Sequence, residues 1–229
     1  MGISALQTRL QATLPMARIE PVALPGCEHI SLALINADFP TGPLPGDVMH
    51  QVLANPAYWC LCWGSGAALA QLLLQEPQWV QGKSVVDLGS GSGIAGIAAA
   101  LAGASSVLAC DTDPDARLAS ATNAELNGVD IQISATLPQR CDIVLMADVL
   151  YDKQNLPLLG LAQQHASEVL VADTRITVLP DPDYRELTTI NALTFPNLGE
   201  FDEFTTAHIF HWQARLPRIS ATQPIEDDV

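Results

Sequence analysis

Positive charge is scarce in this chain. Ten lysines and arginines stand against 25 aspartates and glutamates, a formal net charge of −15 over 229 residues. Nonspecific nucleic-acid binding needs basic side chains to neutralise phosphates, so nucleic acid is not expected as a partner. The acidic field suits a basic protein or peptide better. No apolar run in the sequence reaches the roughly 18–20 residues that span a bilayer, and no membrane association is expected. Residues 1–19 lack the compact apolar centre and small-residue cleavage site of a signal peptide, so the expected location is cytoplasmic. The cysteines, Cys27, Cys60, Cys62, Cys110 and Cys141, are odd in number and scattered. Cys60-x-Cys62 is not a zinc spacing and no second pair completes it, so reduced thiols packed as small apolar residues are expected. His208 and His211 fall in a predicted strand whose alternation turns the rings to opposite faces, which argues against a shared metal. Repeats and low-complexity segments are also missing. With 48% hydrophobic and 15% charged residues, the chain is globular and of a size for one ordinary domain.

The densest signal is Val85-Val86-Asp87-Leu88-Gly89-Ser90-Gly91-Ser92-Gly93, followed by an Ala-rich run over 94–102. A β-branched pair, an acid, three alternate glycines and a helix former read as buried strand, tight loop and helix. Glycine permits positive φ and lets a ligand approach bare backbone. The following helix offers unpaired N–H groups and the positive end of its dipole. Such a turn builds a nucleotide-type cofactor site at the tip of a parallel strand. Gly91-x-Gly93-x-x-Gly96 also matches a dinucleotide fingerprint, so a nicotinamide enzyme is a rival. Asp87 ahead of the first glycine opposes it, because a carboxylate there repels a pyrophosphate.

Ser106-Val107-Leu108-Ala109-Cys110-Asp111 repeats the pattern of an apolar strand ending in an acid. Asp111 lies at about the distance beyond the glycines expected of a ribose-binding carboxylate, which accepts hydrogen bonds from a vicinal diol. Asp113 with Pro114 at the next position is the better helix cap, leaving Asp111 for a ligand.

Strands are expected near 84–88, 106–110, 130–134, 141–147 and 168–172, separated by helices near 93–102, 114–127 and 153–166. Alternation of this kind gives parallel strands with right-handed crossovers. β-rich stretches at 187–195 and 204–213 follow without a helix between them, as in an antiparallel hairpin. The predicted fold class is α/β: a doubly wound, seven-stranded, mostly parallel, Rossmann-like sheet with a C-terminal antiparallel hairpin. Residues 1–46 read as a proline-bearing lead-in packed on the core, with one strand at 30–35. Residues 47–219 form the main domain, opening with a short helix at 47–53 capped at or near Asp47 and a longer one at 65–75. Residues 220–229 read as an acidic tail. The strand near 141–147 ends at Ala147-Asp148-Val149-Leu150-Tyr151-Asp152, so Asp148 and Tyr151 stand at the rim where ligands of open α/β sheets bind.

Taken together, the run from Val85 to Gly93 and Ala109-Cys110-Asp111-Thr112-Asp113-Pro114 resemble motif I and its partner in class I S-adenosylmethionine-dependent methyltransferases. Asp148-x-x-Tyr151 resembles the signature of the seven-strand protein lysine methyltransferases grouped as methyltransferase family 16. Tyr58-Trp59-Cys60-Leu61-Cys62-Trp63-Gly64-Ser65-Gly66 is similar to the Trp-centred segment of that group. Within the group, similarity is greatest to the branch that methylates lysine on the β-subunit of electron transfer flavoprotein. The resemblance implies S-adenosyl-L-methionine as cofactor, with Asp87, Gly89, Gly91, Gly93, Asp111, Thr112, Ala147 and Trp63 around it. Asp87 would sit near the methionine end and Asp111 would hold the ribose. Trp63 would pack over the cofactor or line the lysine channel. Asp148 would capture and orient the lysine head, and Tyr151 would supply a wall or a hydroxyl. The implied partner is a protein substrate, either electron transfer flavoprotein β-subunit or a ribosomal protein. A small-molecule, nicotinamide-like N-methyltransferase stays open, as do an oxidoreductase and a non-catalytic binding module. Two departures stand out: no acid ends the strand near 130–134, where many relatives contact adenine, and no Asn-Pro-Pro-Tyr-type segment follows Ala147.

Overall fold

A computed structural model describes residues 2–199 and 205–215. Its centre is a seven-stranded sheet built from β3 (Ser84–Leu88), β4 (Ser106–Cys110), β5 (Gln132–Ser134), β6 (Cys141–Ala147), β7 (Ala166–Asp173), β8 (Arg185–Asn191) and β9 (Thr206–Gln213), in the order β5-β4-β3-β6-β7-β9-β8. The first five of these strands pair in parallel, and β9 enters antiparallel between β7 and β8. Helices α3 (Gly64–Gln75), α4 (Ile94–Leu101), α5 (Pro114–Leu126) and α6 (Pro157–His165) accompany the sheet. Every expected strand forms, each within a few residues of its expected limits.

Strand order reverses between β3 and β6, whose residues Val85 to Leu88 face Ile143 to Met146 in register. Ile143, Val144, Leu145 and Met146 have no solvent exposure. This is the signature of a central strand covered on both faces. One apolar cluster lies on the side of α3 and α4, with Leu69, Leu73, Ile97, Val85 and Leu145 in it. The other, with Val86, Val144, Met146, Leu159 and Val169, lies on the side of α6.

The lead-in is more ordered in secondary structure than its prolines suggest. α1 (Gly2–Thr13) and the hairpin of β1 (Ile19–Leu24) with β2 (Cys27–Ile35) were not expected; the strand at 30–35 is the far half of β2. Leu6 and Leu10 of α1, Ala33 and Ile35 of β2, Trp59, and Ala116 and Ala119 of α5 make a third apolar cluster. The amphipathic pattern of α1 is faint in sequence because only Leu6, Leu10 and Thr13 are buried, a stripe too narrow to read.

α2 (Gly46–Ala54) starts one residue before its expected limit, and Asp47 does not cap it by a side-chain hydrogen bond; Pro45 holds the cap position. Asp113 caps α5 by accepting the Asp115 N–H at 2.8 Å, as expected. The helix expected at 153–166 begins with a 3-10 turn at Lys153–Asn155, and α6 itself starts at Pro157. All five cysteines are buried, and burial raises their thiol pKa values, to about 11 at Cys27 and Cys141 and about 12 at Cys60. His208 bonds Glu186 at 2.7 Å while His211 bonds Glu168 at 3.2 Å and meets the Trp79 ring. Among the described residues no helix is long and apolar enough to cross a membrane. The expected tail at 220–229 lies outside the described residues.

Candidate active site at the switch point

The loop after β3 carries Gly89, Gly91 and Gly93 with φ of 74°, 51° and 83°. These glycines serve different ends. A Cβ at Gly89 would lie 2.2 Å from Val149 Cγ1, and one at Gly93 would lie 3.0 Å from the Ser120 backbone. Both are packing positions. A Cβ at Gly91 meets nothing nearer than the Gly89 oxygen at 4.0 Å. Gly91 therefore shows bare backbone to an open space, which is what a cofactor cradle requires.

Two carboxylates hold this loop. Asp87 lies beneath it, 2% exposed, and accepts the Gly96 N–H of α4 at 2.9 Å. Burial pushes Asp87 up to about 7, against the Gly96 bond and helped by the neighbouring Asp111 charge. Its visible contact is thus structural, with its field reaching the loop from below. Asp111 accepts the Gly91 N–H at 3.0 Å through one oxygen and the Asp113 N–H at 2.9 Å through the other. An ionised carboxylate has about four acceptor sites, so two remain for hydroxyls. Thr112 is exposed beside it, and its carbonyl accepts from Arg117 at 3.0 Å. At the neighbouring strand tip, the Ser134 hydroxyl donates to the Thr136 carbonyl at 2.7 Å and accepts the Thr136 N–H at 3.0 Å, which leaves little of it for an adenine.

Across the switch point, β6 ends at Ala147, half-buried, and the chain turns sharply at Asp148 with φ 55°. Gly89 against Val149 welds the two strand tips together. The Asp148 side chain is 8% exposed. One of its oxygens accepts the Ser65 N–H at 2.9 Å and the other the Ser65 hydroxyl at 2.6 Å. Arg175 Nη1 stands 3.9 Å away. Burial pushes Asp148 up to about 6, the Ser65 bonds pull it down, and Asp173 pushes it up. Tyr151 is 55% exposed and its ring lies 5.5 Å from that of Tyr58, which in turn lies 5.9 Å from that of Trp63. The Trp63 indole donates to the Tyr58 carbonyl at 2.9 Å, so the three rings form one aromatic rim. The Tyr151 phenol is raised by burial, then by Tyr58, Asp152 and Asp111.

Residues 68–169 match the family model described as Ribosomal protein L11 methyltransferase (PrmA). The Electron transfer flavoprotein beta subunit lysine methyltransferase of Mus musculus is 39% identical over 127 residues, covering 51% of this chain and 50% of that protein. The chain spans about half the length of the curated relatives it matches in this group. The crystal structure of ribosomal protein L11 methylase from Lactobacillus delbrueckii subsp. bulgaricus superimposes with TM-score 0.50 at 23% identity, over 64% of this chain and 77% of that one. The T. Thermophilus 16S rRNA N2 G1207 methyltransferase, solved with AdoMet and guanosine, gives TM-score 0.53 at 14% identity, over 87% of this chain and 51% of that one. The chain has the fold of these methyltransferases.

In this methyltransferase fold, Asp87, the three glycines, Asp111, Thr112 and Ala147 gather around the tips of β3, β4 and β6, with Asp148, Tyr151 and Trp63 on the facing rim. Tyr58, Ser65 and Arg175 join them and were not singled out by sequence. Tyr58 and Ser65 lie inside the Trp-centred segment that carries the resemblance, but their partners are 93 and 83 residues away. Arg175 had no local signal at all. A depression of about 450 Å³ lined by Ser106, Val107, Asp130 and Gln132 opens at the amino ends of β4 and β5, the end of a parallel sheet where ligands do not bind.

Proposed function

We propose that this protein is an S-adenosylmethionine-dependent N-methyltransferase that acts on a lysine side chain of a protein substrate. The observation that carries the proposal is the pairing of two features across one switch point: bare backbone at Gly91 beside Asp111, and a buried acid with an aromatic rim at Asp148 and Tyr151. Similarity to relatives named as lysine methyltransferases supports the choice of acceptor.

The residues fit the cofactor. Gly91 leaves room for it, and Asp111 keeps acceptor sites for the ribose hydroxyls. Asp111 and Asp148, joined by Asp87 as pH rises past about 7, give the crevice a negative field for a cationic ligand. Trp63, Thr112 and Ala147 complete its surroundings. When bound, S-adenosylmethionine supplies a methyl group already activated on a sulfonium.

The protein's task is then to present an amine lone pair in line with that methyl. Positioning of this kind carries much of the catalysis of group transfer. A lysine must also be neutral to attack. With a reference pKa of about 10.4, neutralising it at pH 7 costs roughly 4–5 kcal/mol. Desolvation in a crevice that holds a cation lowers that cost. Asp148, ionised above about pH 6, favours the ammonium form and so opposes deprotonation. We therefore assign it to capturing and aiming the lysine head, not to removing its proton. Tyr151, its phenol raised, stays protonated at neutral pH and serves as a wall and a hydrogen-bonding hydroxyl. A cytoplasmic location and a basic partner surface, suited to the net charge of −15, complete the proposal.

The test is transfer of labelled methyl from S-adenosylmethionine to electron transfer flavoprotein β-subunit, a ribosomal protein and nicotinamide, with the product located by mass spectrometry. Label on a lysine side chain is expected. Label on nicotinamide alone overturns the acceptor class, and cofactor uptake without any transfer overturns the enzyme.

A further inference from the structure

Among the described residues, Asp148 is the one non-glycine residue with positive φ, at 55°. The left-handed region crowds the Cβ of an L-residue, so something must hold it there. Its own N–H donates to the Ala172 carbonyl of β7 at 3.1 Å. Its carboxylate is gripped at both oxygens by a single residue, Ser65, through the amide at 2.9 Å and the hydroxyl at 2.6 Å. Ser65 is fully buried in the first turn of α3.

The helix does not need so distant a partner merely to be capped. A serine or aspartate at its N-cap would do that locally. That position holds Trp63 instead, which makes no capping side-chain bond and belongs to the aromatic rim. The end of α3 is closed from elsewhere in the fold: the Thr194 hydroxyl accepts the Gly64 N–H at 3.3 Å, and an acid from the tip of β6 takes the Ser65 N–H. The arrangement fixes the carboxylate in direction as well as position. One acceptor site on each oxygen is spent on Ser65, and Arg175 Nη1 stands 3.9 Å from the oxygen that takes the hydroxyl bond. The remaining groups that face Asp148 are the buried Cys62 thiol, Asp173 at the end of β7, and Arg175. Asp173 in turn accepts the Arg175 and Ile176 N–H groups at 2.7 and 3.0 Å.

We propose that Ser65 is a positioning residue of the active site, whose hydroxyl and amide hold the Asp148 carboxylate in the one orientation that aims the acceptor amine. This rests on the reading of Asp148 as the group that orients lysine. The Ser65 hydroxyl bond also holds Asp148 in its ionised form, against the push of burial and of Asp173.

The test compares wild type, Ser65→Ala and Ser65→Cys, the last nearly isosteric with a much weaker donor. The readouts are kcat/KM for the lysine acceptor against pH, S-adenosylmethionine affinity by calorimetry, and the Asp148 carboxyl titration by carbon NMR. Ser65→Ala is expected to lower kcat/KM by about 10–100-fold, the scale of a hydrogen bond to a charged group. Its acid limb and the Asp148 titration should both move up by about one pH unit, with cofactor affinity within about two-fold of wild type. Ser65→Cys should fall between. Unchanged kcat/KM, or an unmoved Asp148 titration, in Ser65→Ala overturns the proposal while wild type remains active. A parallel fall in cofactor affinity overturns it too, because the residue would then be supporting the fold at large. Wild type that transfers nothing to any lysine is a different result: it overturns the lysine reading itself and removes the use of Ser65 with it.

Discussion

Replacing Asp87 by asparagine should flatten the pH dependence of this protein's stability. Asp87 titrates near 7 in the folded chain because it is buried, against about 3.9 in an unfolded one. Between those values the native state holds a proton that the unfolded state has released. Stability therefore falls as pH rises through that window and levels off above about 7. From pH 5 to pH 8 the loss covers two units at 1.36 kcal/mol each, roughly 3 kcal/mol. For a chain of this size that corresponds to a fall of about 5–10 °C in melting temperature. Asparagine is neutral throughout, and its oxygen can still accept the Gly96 N–H that Asp87 accepts at 2.9 Å. Asp148, raised to about 6, adds a smaller loss of the same sign, but it is present in both proteins and cancels. Thermal melts of wild type and Asp87→Asn at pH 5 and pH 8 measure the difference. An equal drop in both would refute a buried, neutral Asp87. The same variant carries a functional corollary: cofactor affinity should rise between pH 6 and pH 8 in wild type, as the Asp87 charge appears beneath a cationic ligand, and rise less in Asp87→Asn.

Other expectations follow from the same geometry. Asp111→Ala should weaken S-adenosylmethionine binding by roughly 1.5–3 kcal/mol, read by calorimetry, since the residue holds the Gly91 amide and is the ribose acceptor in the proposed function. Gly91→Ala and Gly89→Ala should separate. Both place an L-residue at positive φ and share that strain; the first adds its methyl to open space and should cost cofactor affinity beyond the shared strain, whereas the second also drives a methyl to 2.2 Å from Val149 and should cost more in melting temperature. Asp148→Ala should abolish transfer with cofactor affinity nearly intact, and should also lower melting temperature by leaving the Ser65 donors at the start of α3 unpaired.

The parallel half of the fold was legible because its signals are local. Val85 and Val86 lead to the glycines, Asp113 and Pro114 open α5, and Asn127 and Gly128 close it, with Gly128 at φ 66°. Each is a feature of a few adjacent residues. α1 and β1 escaped because their burial is tertiary: Leu6 and Leu10 pack on Ala116 and Ala119, more than a hundred residues away. The site divides the same way. Gly91 and Asp111 announce themselves by spacing from a strand end. That Gly89 serves packing while Gly91 faces open space depends on Val149, and no pattern within the loop distinguishes them. That Asp148 and Tyr151 follow directly on β6, which ends at Ala147, was legible from the apolar run that precedes them. The grip of Ser65 on Asp148 and the tilted contact of the Tyr58 and Tyr151 rings join segments that the sequence keeps far apart.

The account turns on whether the acid beside the glycine crevice directs methyl transfer to lysine. Quantitative mass spectrometry of methyl-lysine in the source proteome, with and without this protein, tests that directly. One or more lysine methyl marks should vanish on its removal, return with the wild-type chain, and stay absent with Asp148→Ala. A proteome whose methyl-lysines are unchanged, or are restored equally by both chains, would contradict it.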